Sequence, residues 1–102
     1  PEVILTFHDY IALDAMQVCK EKGLKINQDI FFASFSNFSF CDYLETPPIV
    51  TVEQFPFLMG QQAARILLHA IESPDTYHSQ EIIMPCELII RNESVCTLAV
   101  RA

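Results

Sequence analysis

At 102 residues the chain has room for one domain, and 51% of those residues are hydrophobic, enough for a packed core. Thirteen acidic side chains against six basic ones give a formal net charge of −7, and the six cations do not cluster, which argues against a phosphate-neutralising DNA face on this segment. Only two glycines and 19% charged residues speak against disorder, and no apolar run approaches the ~20 residues that span a bilayer. The first residue is Pro1 rather than Met, and the chain opens directly in a strand-like segment. No signal-peptide pattern precedes that segment, and the chain reads as a fragment of a longer protein.

Val3 to Thr6 is a short apolar run, the pattern of a parallel strand buried on both faces. Asp9 follows as a candidate N-cap, since its carboxylate can accept an orphan amide of the helix behind it. Residues 10–22 then repeat at helical spacing. Ile11, Ala12, Ala15, Met16, Val18 and Cys19 form one stripe, and Asp14, Gln17, Lys20 and Glu21 lie opposite. Tyr10 and Leu13 fall off that stripe and are read as subunit-interface residues. Gly23 is a left-handed stop, with Lys20, Lys22 and Lys25 suited to the negative helix end.

Ile30 to Phe35 predicts the second strand. Residues 36–48 are aromatic-rich and end in Pro47-Pro48, so they form a loop with one short helical turn. Ile49 to Glu53 predicts a third strand. Pro56 fits the first turn of a helix running to about Glu72. Gln61, Gln62, Arg65, His69 and Glu72 fill one narrow polar arc, and the apolar arc covers more than half the circumference. A helix of that kind packs on more than one side. Glu81 to Arg91 predicts one or two strands interrupted at Pro85, and Thr97 to Val100 another.

A strand–helix–strand unit binds ligands at the carboxyl ends of its strands. Those ends carry Phe7-His8-Asp9 and Ser36-Asn37, which are the candidate site. Asp9 either contacts a ligand or caps its helix. His8 either donates to a ligand, acts as a base, or is a surface histidine. Ser36 and Asn37 are candidate ligand contacts, and Phe38 and Phe40 either stack on a ring or serve as core or interface residues.

His8, Asp9 and Ser36 are also the residue types of a hydrolytic triad. No G-x-S-x-G elbow accompanies them, and no glycine-rich phosphate loop is present, so the chain is read as a non-enzyme. Cys19, Cys41, Cys86 and Cys96 form no C-x-x-C pair and no zinc-like spacing with His. They read as reduced structural thiols, and no metal or cofactor is implied. The sequons Asn37-Phe38-Ser39 and Asn92-Glu93-Ser94 read as chance matches.

The ordered set of segments is specific. It runs from a strand into His8-Asp9, a helix, Gly23, a strand ending Phe35-Ser36-Asn37, and Pro47-Pro48-Ile-Val-Thr-Val-Glu-Gln54. A helix containing Met59-Gly60 and then Glu87-Leu-Ile-Ile-Arg91-Asn-Glu-Ser94 complete it. Over residues 3–94 the chain resembles the C-terminal part of the sensor domain of LacI/GalR-type transcription regulators. The resemblance implies an α/β, type I periplasmic-binding-protein-like fold with a mostly parallel sheet flanked by helices. Here it would be a partial domain: a lobe core over about 1–54, a crossover helix region over 55–80, and C-terminal strands over 81–102.

It further implies a small-molecule effector held between two lobes, a homodimer, and operator DNA gripped by an N-terminal domain that this segment lacks. The protein would be cytoplasmic, with no membrane association. Gln54 would lie where the chain crosses between lobes, as a hinge or a contact. The family usually carries Asn before the first Asp, where this chain has His8. It often carries Asp where this chain has Ser36, which hydrogen-bonds without charge. The implied ligand is thus a polar metabolite, of which a sugar is one case. A periplasmic solute-binding protein of the same fold, and a pure dimerisation fragment, are the alternative readings.

Overall fold

The computed structural model describes residues 2–91. In chain order it contains β1 (Val3–Leu5), α1 (Asp9–Glu21), β2 (Phe31–Phe35), a 3-10 turn (Ser39–Tyr43), β3 (Val50–Glu53), α2 (Pro56–Glu72) and β4 (Glu87–Ile90). The four strands form one sheet in the order β1-β2-β3-β4. The first three run parallel, with Ile4 opposite Phe32 and Ala33 opposite Val50. β4 joins β3 antiparallel, with Thr51 opposite Ile89. This is the mostly parallel sheet that the apolar runs and the family resemblance imply. The chain divides into two compact units, one holding all four strands and α1, the other Gln54–Cys86.

In the first unit α1 lies on the sheet face that carries Phe32. Ala12, Met16 and Cys19 project from α1 at helical spacing and pack with Ile26, Ile30 and Phe32, flanked by Ile4, Leu13 and Ala15. Four of the six residues in the predicted stripe thus pack on the core, while Ile11 and Val18 are exposed. Leu13, which falls off the ideal stripe, still packs against this core. Gly23 ends the helix with φ +79°, a conformation open to glycine, while the Leu24 amide closes onto the Cys19 carbonyl at 3.0 Å.

β1 is shorter and barer than its apolar run suggests. The chain leaves the ladder after Leu5, although the Thr6 amide still reaches the Ala33 carbonyl at 2.9 Å. Leu5 is 67% exposed. The reason is position: β1 is the edge strand, and only its Ile4 face is packed on the core. Of the predicted C-terminal strands, β4 starts two residues after Pro85, as expected of a residue that cannot donate to a ladder. The predicted strand at 97–100 lies outside the described residues.

In the second unit α2 begins at Pro56, whose fixed φ suits the first helical position. Phe55 before it has φ +51°, the left-handed value that turns the chain into the helix. No residue of α2 is buried.

Candidate functional site

The rim of the sheet is built around Asp9. The local sequence suggests it as helix cap, but His8 holds that position: its Nδ1 accepts the Tyr10 amide at 3.2 Å. Asp9 is the first helical residue and is fully buried. One carboxylate oxygen accepts the Ser34 hydroxyl, and the other accepts the Phe38 amide at 2.6 Å. The Ser34 and Thr51 hydroxyl oxygens lie 3.4 Å apart. A polar chain therefore crosses under the rim from the start of α1 through β2 to β3. It ties the His8 turn to the loop after β2, and every carboxylate contact is charge-assisted.

That loop turns sharply. Ser36 and Asn37 have φ +97° and +53°, two consecutive positive values without glycine. Asn tolerates this region, whereas Ser at +97° stores strain of about 1–3 kcal/mol, a cost that gathers at functional sites. The Ser36 amide is held by the Val52 carbonyl at 3.0 Å. From the far side Arg91 clamps the loop. Its guanidinium donates to Asp42 at 2.7 Å and to the Asn37 side-chain oxygen at 2.5 Å, while its own amide is pinned to the Ile49 carbonyl at 2.8 Å.

Above the polar chain the aromatic rings gather. Tyr10 meets Phe38 and Phe40 at centroid distances of 5.3 and 4.9 Å, and His8 stands edge-on to Phe38 at 6.4 Å. The fold thus brings His8, Asp9 and Asn37 together at the carboxyl ends of β1 and β2, with Ser36 beside them. Tyr10 joins this cluster and is more than half exposed. Leu13 does not join it, being packed on the core. Gln54 is exposed and belongs to the second unit. Among the described residues no three His, Cys, Asp or Glu side chains gather into a metal-holding group.

Cys41, in the 3-10 turn, is buried beneath the rim. Burial, and then the negative charge of Asp9, push its thiol up to about 11. The folded thiol therefore holds its proton between the ordinary thiol value of 9.0 and about 11, where the unfolded thiol has lost it, so stability falls as pH rises through that window. Urea midpoints of the chain and of Cys41→Ala should diverge less at pH 11 than at pH 8. Iodoacetamide at pH 8 should label exposed Cys86 well before Cys41. Equal labelling rates would contradict the burial of Cys41.

A mostly parallel sheet with a helix behind it and polar groups at its strand ends is the layout of an α/β lobe. The periplasmic binding protein-like domain model matches residues 1–94. The transcriptional repressor PurR of Vibrio atlanticus is 32% identical over 98 residues, which is 96% of this chain and 28% of that protein. The repressor CytR of Escherichia coli is 32% identical over 97 residues, covering 92% of this chain and 27% of CytR. The ribose-bound LacI-family regulator of Enterococcus faecalis superposes with a TM-score of 0.76 at 31% identity, over 85% of this chain and 32% of the regulator.

The chain belongs to the periplasmic binding protein-like domain family, and the relatives that share about a third of its residues include transcriptional repressors and a LacI-family regulator. It spans under a third of the length of each of these relatives.

Three elements of the site escape the sequence reading: Ser34, Thr51 and the Arg91 clamp. Ser34 and Thr51 carry a faint signal, as polar residues inside otherwise apolar strands. Arg91 carries only its place as a lone cation at a strand end.

Proposed function

We propose that this chain forms one wall of the crevice in which a LacI-type regulator binds a small polar effector. His8, Ser36 and Asn37 contact the effector, and Asp9 acts behind them by holding the two strand ends together. The observation that carries this reading is the Asp9 carboxylate joined to Ser34 and to the Phe38 amide, which draws His8 and Asn37 to one rim. The aromatic edge of Tyr10, Phe38 and Phe40 offers a flat apolar surface beside them. Such a mixture, a few aimed polar groups beside aromatic rings, suits a small-molecule site. The ribose in the Enterococcus faecalis relative supports a sugar-sized metabolite as the ligand class.

The mechanism is a shift of population. The effector binds the closed arrangement of two lobes more tightly than the open one, and that difference in affinity changes how a DNA-binding domain outside this chain holds its operator. Gln54 serves as hinge or contact, since it opens the second unit. The protein works as a homodimer in the cytoplasm and is not an enzyme. The repressor names of its relatives favour a regulator over a solute-binding protein.

Two measurements test the reading. In the full-length protein, a sugar or nucleobase that raises the melting temperature should also change operator affinity; ligand binding without any change at the operator would refute the regulatory role. Residues 1–102 alone should bind the same compound weakly or not at all, because one wall cannot enclose most of a ligand. Submicromolar binding by the isolated chain would mean that the site is complete within it.

A further inference from the structure

Two hydrogen bonds inside the lobe determine what its rim can offer. A backbone amide only donates, so the Tyr10 N–H at 3.2 Å requires a lone pair on His8 Nδ1. The neutral imidazole then carries its proton on Nε2. A guanidinium also only donates, so Arg91 requires the oxygen of the Asn37 amide, which it meets at 2.5 Å. One of the two lone pairs of that oxygen is thereby used and the carbonyl is turned toward the cation, which leaves the NH2 as the side chain's donor group. Asp42 holds the same guanidinium at its other nitrogen, and the Ile49 carbonyl fixes the backbone from which the side chain extends.

We infer that His8 and Asn37 meet the effector as hydrogen-bond donors, and that the effector presents carbonyl or carboxylate oxygen to them. This rests on the effector-binding reading above and deepens it to a ligand class. Asp9 cannot reverse the polarity, since both its oxygens are engaged within the fold. The Ser36 hydroxyl serves either sense. A polyol can accept from these donors, but its own hydroxyl protons find no acceptor on His8 Nε2 or Asn37 Nδ2. A carbonyl or carboxylate oxygen brings no such proton, and unpaired polar groups are what a closed crevice penalises. Arg91 is a positioning residue in this scheme: it acts through Asn37 and does not touch the ligand.

The test uses the full-length protein and three probes: D-ribose, D-ribonolactone, which carries a carbonyl at the oxidised C1, and D-ribonate, the open-chain carboxylate formed by hydrolysis of that lactone. Calorimetry should find the lactone or the acid bound about tenfold tighter than ribose, the scale of one hydrogen bond to a charged or strongly polar group. Asn37→Asp retains an acceptor for Arg91 but removes the donor, and should weaken binding of the lactone and the acid more than that of ribose, so that the preference collapses. Arg91→Met frees the amide to turn and should reduce the same ratio. Nitrogen-15 spectra should show the His8 proton on Nε2.

Ribose bound tighter than both oxidised probes, or a ratio unchanged in Asn37→Asp, would overturn the donor assignment and leave the effector-binding reading standing. Binding of none of the three, nor of any other sugar or nucleobase, would overturn both.

Discussion

Asp9→Ala should destabilise the chain by about 2–5 kcal/mol, the combined cost of leaving two buried partners of a charged group unsatisfied. The side chain is fully buried, and its removal orphans the Ser34 hydroxyl and the Phe38 amide at once. Asp9→Asn should cost less, about 1–3 kcal/mol, because its carbonyl can still accept from Phe38 while its NH2 donates to Ser34. For that to happen the Ser34 hydroxyl must rotate toward Thr51, 3.4 Å away. Urea unfolding with an unchanged m-value is the measurement, since a shift in midpoint alone then reports stability. Equal and negligible effects of Ala and Asn would show that the carboxylate does not hold the rim. The same variant should weaken effector binding in the full-length protein, as the strand ends carrying His8 and Asn37 lose their link.

Self-association of the isolated chain is the second large effect expected. None of the 17 residues of α2 is buried, and Phe57 and Ile71 are 78% and 66% exposed. Leu58, Met59, Leu67 and Leu68 are exposed as well. At ~25 cal/mol per Å² of apolar area, covering several such side chains is worth several kcal/mol, and large exposed apolar patches mark association sites. A two-fold dimer is the default form. On α1 Tyr10 is exposed, and Leu13 lines a groove of about 340 Å³ of mixed character, whose walls include Met16 and Leu44 but also Lys20 and Glu45. Light scattering over a dilution series should show a dimer or larger species at high micromolar concentration. Leu67→Glu with Ile71→Lys should return it to a monomer without loss of helix. A wild-type chain that remains monomeric at that concentration would show that α2 needs no partner.

These expectations depend on different layers of the molecule. α1 was legible in the sequence because its stripe, its lysines and Gly23 lie within one stretch of chain, and helical periodicity is a local property. β2 and β3 were legible as short apolar runs bounded by Gly23, Pro47 and Pro48, and α2 by Pro56 and its wide apolar arc. The His8-Asp9 and Ser36-Asn37 corners could be located because strand ends follow from the strands. What each corner does could not be read locally. Asp9 is a good N-cap by type, yet its partners lie 25 and 29 residues away, and once they are in reach a buried carboxylate gains more from them than from its own helix.

Arg91 reaches Asn37 across 54 residues of sequence, and no local pattern contains that pairing. The exposure of Leu5 likewise follows from β1 taking the sheet edge, which strand order decides and hydropathy cannot. Residue type and spacing determined the elements and the rim on which chemistry could sit. The tertiary structure alone determined which polar atoms on that rim are already spent on one another and which are left to offer, because hydrogen-bond partners are chosen by distance in space.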